Sequence, residues 1–426
     1  MNQRRQPTTA VIGAGVAGLT AAHVMSRTDA VTLFEADQRV GGHAHTHTVP
    51  APDQGAGADP LRVDSGFIVH NERTYPHLLR LFRELDVETR PTEMSMSITC
   101  EQCGLSYAGG LGLRGILAQP GRAADPRFIR LLTEVPRFHR AARRLLEDPS
   151  TDPTWGQFLR DGGFSTYFVR HFAIPLVACV WSCGDLDAET YPARHLFQFL
   201  DHHGMLTVTG SPQWRTVVGG SATYVDRLVS RLPDVRRSAP VTAVERHDDG
   251  VDVRVGDAAP ERFDRVVIAT HANQALDLLA DATPQEKEDL AAIRYSRNTV
   301  WLHRDSAVLP SAQQARASWN YRMRSCDAPS SHVAVSYWMN RLQGLPGPDE
   351  HVVTLDPEGL VDPASVTAEM SYEHPIFTGE AVAAASRLRT AGGERLAFAG
   401  AHLGWGFHED GCRSGVEAAA SFGVTW

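Results

Sequence analysis

Hydrophobic residues follow two kinds of pattern along this chain. Short apolar runs rich in β-branched residues at 9–12, 30–34 and 265–270 predict buried parallel strands. The run at 19–25 has helical spacing, while alternation at 239–246 and 251–255 predicts a hairpin. Strand, helix and strand in this order predict an α/β fold with a parallel sheet.

The middle of the chain shows a different pattern. Residues 72–213 are predicted to be rich in helix, except for two short strands at 95–108 around a Glu-Gln-Cys-Gly turn. Residues 298–304, 332–339 and 351–355 predict further strands. Residues 125–146 form an amphipathic helix, whose apolar stripe faces away from Arg130, Arg137, Arg140 and Arg144. We expect a core helix with a solvated basic face; a helix that lies on a membrane surface and admits a lipid is the alternative.

Composition narrows the class of protein. A length of 426 residues suggests two domains, and 42% hydrophobic with 21% charged residues is typical of a globular protein. No apolar run reaches the roughly 20 residues of a membrane span. A net charge of -9 disfavours nucleic acid as a partner. Arg4-Arg5 resembles the start of an export signal, but the apolar stretch behind it belongs to the first predicted strand, so we expect a cytoplasmic protein.

Cysteines and histidines offer candidate metal ligands. Cys100 and Cys103 form a C-x-x-C pair, and together with Cys179 and Cys183 they could imitate a four-thiolate zinc site. The predicted hairpin explains the first pair, so we expect structural thiols and no metal. Three alternating histidines, His43, His45 and His47, could also suggest a metal site or a covalent link to a cofactor. No nearby acid or cysteine completes a set of metal ligands.

A glycine motif follows the first strand at once. It predicts a tight turn, a close approach to a pyrophosphate and a closely packed helix, and its residues are Gly13, Ala14, Gly15, Val16, Ala17 and Gly18. The second strand ends on Glu35, about 20 residues further on, where a carboxylate can accept hydrogen bonds from a ribose. The spacing predicts a dinucleotide site.

A second glycine motif distinguishes the cofactor. Residues 39–46, with Arg39, Gly41 and Gly42, resemble the R-x-G-G-R-x-x-[S/T] motif of the amine oxidase and phytoene desaturase superfamily of FAD-dependent flavoproteins. His43 stands where that family has its second arginine. The resemblance implies that this motif surrounds the FAD pyrophosphate, with Arg39 as a forked donor.

The resemblance extends along nearly the whole chain in pieces. It implies that the segment with Gly66 runs past the flavin and that Val241 contacts the adenine side of FAD. Gly400-Ala401 stands where the family usually has Gly-Asp, so the acidic contact with FAD is expected from Asp410 instead. It also implies a helix that opens at Gly411 and points at the flavin, with Cys412 and Ser414 in its first turn. The segment at 406–411 resembles a bacterial group of NAD/FAD-binding proteins encoded beside cyclopropane-fatty-acid-synthase-like enzymes.

These patterns predict a Rossmann-like FAD-binding domain of the glutathione-reductase/amine-oxidase type, interleaved with an α+β substrate domain. The predicted FAD-binding domain comprises 1–71, 214–290 and 391–426, and the substrate domain comprises 72–213 and 291–390. Trp181 and Trp405 are candidate walls of the active site, and His402 and His408 are candidate proton carriers.

The expected function is FAD-dependent oxidation or desaturation of a largely apolar small molecule or lipid, with a fatty-acyl compound as the candidate substrate and peripheral membrane contact as a candidate route to it. A flavin amine oxidase is the nearest alternative. The sole lysine, Lys287, lies in a polar stretch, which counts against the lysine that many amine oxidases place near the flavin. A redox-neutral double-bond isomerase and a non-catalytic flavin-binding protein are further alternatives, and the oligomeric state is open.

Overall fold

The computed structural model describes residues 5–50, 59–182, 185–207, 210–327 and 334–426, with the backbone alone for 185–187. Cys183, Arg4 and the predicted strand residues 332–333 lie outside these ranges. The strands of the described residues are β1 (Thr8–Ile12), β2 (Ala30–Phe34), β3 (Thr46–Val49), β4 (Leu61–Asp64), β5 (Val69–Asn71), β6 (Thr89–Pro91), β7 (Met96–Cys100), β8 (Ser106–Gly109), β9 (Trp214–Val217), β10 (Asp234–Arg236), β11 (Val241–His247), β12 (Gly250–Val255), β13 (Glu261–Phe263), β14 (Arg265–Ile268), β15 (Arg294–His303), β16 (Trp319–Met323), β17 (Val335–Trp338), β18 (Val352–Leu355), β19 (Val366–Ile376) and β20 (Leu396–Phe398).

The helices of the same ranges are α1 (Val16–Met25), α2 (Pro76–Glu84), α3 (Gly112–Ile116), α4 (Pro126–Glu147), α5 (Trp155–Asp161), α6 (Thr166–Phe168), α7 (Ile174–Trp181), α8 (Asp185–Thr190), α9 (Ala193–His202), α10 (Ala222–Val229), α11 (Ala272–Leu278), α12 (Pro284–Ala292), α13 (Met339–Leu342), α14 (Gly379–Leu388) and α15 (His408–Ser421). A π-helical turn, Val169–Ala173, joins α6 to α7.

A parallel sheet with strand order β10-β2-β1-β14-β20 forms one half of the molecule. Its central strands are buried on both faces, as their continuous apolar sequence predicts. Helices α1 and α15 pack on one face, and α11, α12, α14 and the antiparallel sheet β11-β12-β13 cover the other. The α/β dinucleotide fold predicted from the sequence is confirmed.

A seven-stranded mixed sheet with order β19-β15-β18-β17-β16-β7-β8 forms the other half. Helices α4 to α9 pack beside it around an aromatic core in which Phe138 contacts Trp155, Phe158 and Phe197. The predicted hairpin at 95–108 is present as β7 and β8. The strands of this sheet lie within 96–109 and 294–376, and those of the parallel sheet lie outside these two ranges. The division into two interleaved domains stays a prediction.

Helix α4 confirms the predicted amphipathic helix. Asp125 caps its first turn by accepting a hydrogen bond from the Arg127 amide, and Pro126 occupies the first helical position. Part of its basic face is engaged within the molecule, since Arg130 and Arg137 both pair with Glu134. Contact with a membrane surface stays a prediction. Among the described helices, none is long and apolar enough to cross a membrane.

Candidate active site

A cavity of about 710 Å³ lies where the carboxyl ends of β1, β2 and β14 face the seven-stranded sheet. Ligands of open parallel sheets bind at this edge. We call the part lined by residues 12–17, 34–37, 42–43 and 239–241 the glycine end. We call the part lined by seven other residues the aromatic end; they come from α7, α9, the mixed sheet and the segments after α9 and before α15, and they are Trp181, Phe199, Met205, Trp319, Tyr337, Trp405 and Phe407.

The first glycine motif forms the turn between β1 and α1. Gly13 has φ of 98° and donates its amide to the Phe34 carbonyl at 2.8 Å, a backbone conformation that favours glycine. Gly13, Ala14, Gly15, Val16 and Ala17 line the cavity. Gly18 does not line it: a Cβ there would lie 1.8 Å from the Gly13 carbonyl oxygen, so this glycine allows the close packing of α1.

Glu35 holds the glycine turn while it faces the cavity. Its Oε2 accepts the Ala14 amide at 2.8 Å, and its Oε1 accepts the Asp37 amide at 3.0 Å. Each carboxylate oxygen has a second lone pair, so Glu35 can still accept a hydroxyl from a ribose. The sequence predicted the ribose contact but not the role in fixing the turn.

The second glycine motif packs against the first. The Gly41 amide donates to the Ala14 carbonyl at 2.8 Å, and a Cβ on Gly42 would lie 3.2 Å from the Gly15 Cα. Gly42 lines the cavity, but neither Gly41 nor Arg39 does. The Arg39 guanidinium donates to the Gly42 carbonyl at 2.9 Å and to the Ala44 carbonyl at 3.3 Å. Arg39 therefore braces this loop through backbone carbonyls, and its contact with a cofactor stays a prediction.

His43 faces the cavity from the second glycine motif. Its Nε2 is buried and has no hydrogen-bond partner among the described residues. Burial holds the pKa of His43 well below its usual value, so the ring is neutral. Its ring centroid lies 4.9 Å from that of Tyr372 and 5.5 Å from that of His374. A buried polar nitrogen at a cavity wall is typical of a ligand-binding position.

Four further predicted cofactor positions also line the cavity. Gly66 approaches His43 closely, since a Cβ on Gly66 would lie 2.1 Å from the His43 carbonyl oxygen. Val241 lies at the glycine end, while Gly400 and Ala401 follow β20. Their contacts with a cofactor stay predictions.

The structure corrects the start of the C-terminal helix. Helix α15 begins at His408, three residues before the predicted Gly411, so Gly411, Cys412 and Ser414 lie within it and do not line the cavity. A Cβ on Gly411 would lie 2.6 Å from Val16 Cγ1. The fully buried Cys412 accepts a hydrogen bond from Thr20 on α1 at 3.5 Å. These residues support the cavity from behind.

The acids of the first turn of α15 explain its earlier start. Asp410 accepts the Phe407 amide at 3.1 Å and pairs with Arg413 at 2.9 Å, so it caps its own helix instead of lining the cavity. Burial raises the pKa of Asp410 to about 6. Glu409 accepts the amides of His77 and Leu78, both at 3.0 Å, at the start of α2. The structure thus assigns Asp410 to a helix cap, and its contact with a cofactor stays a prediction.

Trp181 and Trp405 meet, although 224 positions separate them. The Trp181 Nε1 donates to the Trp405 carbonyl at 3.1 Å. Phe199 lies 4.9 Å from Trp181 and stacks on Phe407 at 4.5 Å between ring centroids. We call these four residues the aromatic wall. Both tryptophans line the cavity, as the sequence predicted for walls of the active site, and their contact with a substrate stays a prediction.

His402 and His408 also line the cavity, and both are neutral. Burial lowers the pKa of each to about 3. His408 shares a hydrogen bond of 2.7 Å with the Tyr224 hydroxyl and stacks on Phe67 with 3.8 Å between centroids. Rings held neutral in this way are suited to packing and hydrogen bonding, and not to acid catalysis near neutral pH.

Sequence reasoning missed several residues of the cavity. Tyr372 and His374 alternate on β19 and so face one side of the mixed sheet, which was the only local signal they gave. His271 follows β14 and binds Glu373 at 3.1 Å. The remaining missed residues come from distant helices, strands and loops, and they include Met94, Phe199, Met205, Trp214, Tyr295, Trp319 and Tyr337.

The residues at the glycine end fit a dinucleotide cofactor. No atom of the described residues lies within 4 Å of the point where a Cβ of Gly15 would be, so the backbone there is open to a ligand. His43 offers a free nitrogen beside it, and Glu35 a carboxylate. The cavity then continues past this end to the aromatic wall.

Comparison with known proteins agrees with this geometry. The (S)-6-hydroxynicotine oxidase of Paenarthrobacter nicotinovorans is 26% identical over 277 residues, which cover 62% of this chain and 60% of that enzyme's length. The cyclohexylamine oxidase of Brevibacterium oxydans IH-35A superposes with a TM-score of 0.69 at 17% identity, over 98% of both chains. A CLA-producing fatty acid isomerase from P. acnes superposes with a TM-score of 0.68 at 16% identity, over 97% of both.

The cyclohexylamine oxidase and the fatty acid isomerase are 17% and 16% identical to this chain, so their structures show its fold alone. The sequence profile described as "Flavin containing amine oxidoreductase" matches residues 16–352 of the chain, well over half of its length. The chain therefore belongs to the flavin-containing amine oxidoreductase family, and it is an FAD-dependent oxidoreductase.

Proposed function

We propose that this enzyme oxidises or desaturates a largely apolar substrate, of the fatty-acyl class, that lies against the aromatic wall. The observation that supports this proposal is the lining of the aromatic end. None of the seven side chains that define this end is charged. Glu373 on β19 also lines the cavity, but its carboxylate binds His271 at 3.1 Å. A hydrocarbon chain loses little by contacting the seven uncharged side chains, whereas an ammonium ion among them would lose its hydration without gaining a counter-ion from them.

The residues of the chain bind, orient and exclude water. The hydrogen bond from Trp181 to the Trp405 carbonyl fixes two sides of the wall against each other. His402 and His408 stay uncharged, so neither adds a charge that would attract water. FAD supplies the hydride acceptor, and dioxygen or a carrier protein must reoxidise it when the reaction is a net oxidation.

An amine substrate is the second candidate. Indole faces attract cations, so Trp405 could hold an ammonium group by a cation–π contact. The sole lysine does not support this candidate: Lys287 is exposed on α12 and does not line the cavity. This chain therefore has no lysine in position to hold a water beside the flavin.

Anaerobic incubation of the purified enzyme with fatty-acyl lipids, amines and polyenes tests the proposal. We expect fatty-acyl lipids to bleach the oxidised flavin band. Bleaching by amines alone would establish the second candidate. Migration of a double bond without lasting bleaching would show an isomerase, and no response to any class would leave a flavin-binding protein without this chemistry.

A matched pair of variants at Met205 sharpens this test. Met205 lines the aromatic end and is partly exposed, so it tolerates a polar side chain. Met205→Glu adds a negative charge, and Met205→Gln adds the same volume without charge. We expect the Glu variant to raise KM for a fatty-acyl substrate about tenfold over the Gln variant, about 1.4 kcal/mol. Equal KM values would show that the substrate does not contact this wall.

A further inference from the structure

Three cysteines and a histidine meet at one point outside the cavity. We call them the thiol cluster: Cys100, Cys103, His171 and Cys326. One sulfur or nitrogen atom from each lies within 4.8 Å of the others. Cys100 and His171 are buried, and Cys103 and Cys326 are partly exposed. None of the four lines the cavity of the active site.

We propose that the thiol cluster binds one zinc ion as a tetrahedral Cys₃His structural site. Zn–S bonds of about 2.3 Å and Zn–N bonds of about 2.0 Å place the ligand atoms of such a site about 3.5 to 3.8 Å apart. Cys103 Sγ lies 3.4 Å from His171 Nε2, so small movements suffice. Four protein ligands leave no open position, which is typical of structural and not catalytic zinc.

The histidine is already oriented as a ligand. Its Nδ1 lies 2.9 Å from the Tyr167 carbonyl oxygen, which can only accept a hydrogen bond. The proton therefore sits on Nδ1, and the lone pair of Nε2 points at Cys103. A second contact fixes the backbone, since the Tyr107 hydroxyl donates to the His171 carbonyl at 2.7 Å. Outer contacts of this kind hold metal-binding histidines in place.

The hairpin presents its two cysteines as thiolate ligands. The Cys103 amide donates to the Cys100 sulfur, and the Leu105 amide donates to the Cys103 sulfur. Gly104 makes the turn possible with φ of 68°. Three thiolates and Zn²⁺ leave one net negative charge, and Arg122 lies beside it, bonded to the Cys103 carbonyl. The C-x-x-C spacing at a tight turn is typical of zinc ligands.

The remaining ligand arrives on a different segment. Cys326 follows β16, and its amide donates to Gln102 Oε1 at 3.0 Å, while the Ser325 hydroxyl donates to the same oxygen at 2.7 Å. The sequence suggested Cys179 and Cys183 as partners of the C-x-x-C pair. Cys183 lies outside the described residues, and the fold brings His171 and Cys326 to the pair instead.

Zinc at this place would tie three distant segments together. They are the β7–β8 hairpin, the π-helical turn at Val169–Ala173, and the loop after β16. The π-helical turn leads directly into α7, which ends at Trp181 in the aromatic wall. The site would therefore stabilise the element that holds one side of the active-site cavity.

Metal analysis of the holoenzyme tests this inference. We expect one zinc ion per chain after purification in buffers without chelator, and loss of the metal in Cys103→Ser, Cys326→Ser and His171→Gln. Cys179→Ser is the matched control, because Cys179 is a buried cysteine outside the thiol cluster, and it should keep its zinc. Retention of zinc in all three cluster variants would overturn the proposal.

Two measurements on the unaltered chain do not depend on how variants fold. Co²⁺ added after chelation should give the charge-transfer band of thiolate ligands and the visible bands of a tetrahedral ion. An alkylating reagent should leave the three cysteines of the thiol cluster unmodified until zinc is removed. Protein with reduced thiols that binds neither Zn²⁺ nor Co²⁺, or a disulfide between cluster cysteines as isolated, would disprove the zinc site.

Discussion

Two glycines of the same motif, three positions apart, have opposite surroundings. Gly15 has φ of -72°, a conformation that any residue adopts, and no described atom would touch a Cβ there. Gly18 has no such space, because a Cβ would lie 1.8 Å from the Gly13 carbonyl oxygen. One glycine therefore leaves room for a ligand, and the other allows a helix to pack on a strand. The sequence predicts both roles from spacing alone.

Gly15→Val should separate cofactor binding from folding. The variant should fold, because the side chain enters open space, but it should weaken FAD binding by about 100-fold, about 2.8 kcal/mol, by filling the place of the pyrophosphate. FAD released on denaturation and the melting temperature of the apoprotein are the two readouts. Gly18→Val is the matched control and should fail to fold. Normal flavin content in Gly15→Val would show that the pyrophosphate lies elsewhere.

Elements with strong local signals were predictable from the sequence. Helix α4 has an N-cap, a proline in its first turn and a long apolar stripe, and the observed Pro126–Glu147 agrees with the predicted 125–146. The start of α15 at Gly411 was implied by the family resemblance, and the helix in fact begins three residues earlier, at His408. The deciding contact is the bond from the Phe407 amide to Asp410, which only the fold reveals.

The position of Cys412 inside α15 changes what a substitution there should do. Cys412 is fully buried against Thr20 of α1. Cys412→Asp should lower the free energy of unfolding by about 3 kcal/mol or more, because a carboxylate would be buried without a partner. Cys412→Ser should cost about 1 to 2 kcal/mol and leave the flavin spectrum unchanged. Urea unfolding measures the stability of both variants. Equal stability would indicate that Cys412 lies at the cavity surface and not inside the helix packing.

At the scale of the whole molecule, the site depends on contacts that no local pattern shows. The second glycine motif, the end of β14, β19 and the turn after β20 bring four histidines around one cavity: His43, His271, His374 and His402. The sequence singled out His43 and His402, but it gave no sign that His271 and His374 lie beside them. Their shared burial keeps them uncharged, because desolvation lowers the pKa of every one of them.

This burial predicts a loss of stability in mild acid. The pKa falls from 6.5 to about 3 for His402 and His408, and to about 4 for His195 and His374. Between pH 6.5 and 4 the unfolded chain therefore binds protons that the folded chain does not. Stability is fully present above pH 6.5 and falls as the pH decreases, by up to about 1.4 kcal/mol per pH unit for each group.

Two carboxyl groups act in the opposite direction. Burial raises the pKa of Asp64 and Asp410 to about 6, so the folded chain gains protons on them below that pH, which favours folding. The histidines should prevail because they are more numerous; further ones with a pKa lowered to about 3 or 4 are His45, His70, His139, His203 and His303.

Urea unfolding from about pH 7.5 to 5, at saturating FAD, measures the balance. We expect the free energy of unfolding to change little above pH 6.5 and to fall from there down to pH 5. His195→Phe is the matched variant: its Nε2 has no partner among the described residues, and its ring lies 5.1 Å from Phe377, so a phenyl ring should replace it without losing a hydrogen bond. With one histidine fewer, the slope should be shallower by up to about 1.4 kcal/mol per pH unit. A flat profile in the parent chain would mean that these histidines take up protons in the folded protein, and that the cavity they surround is open to water.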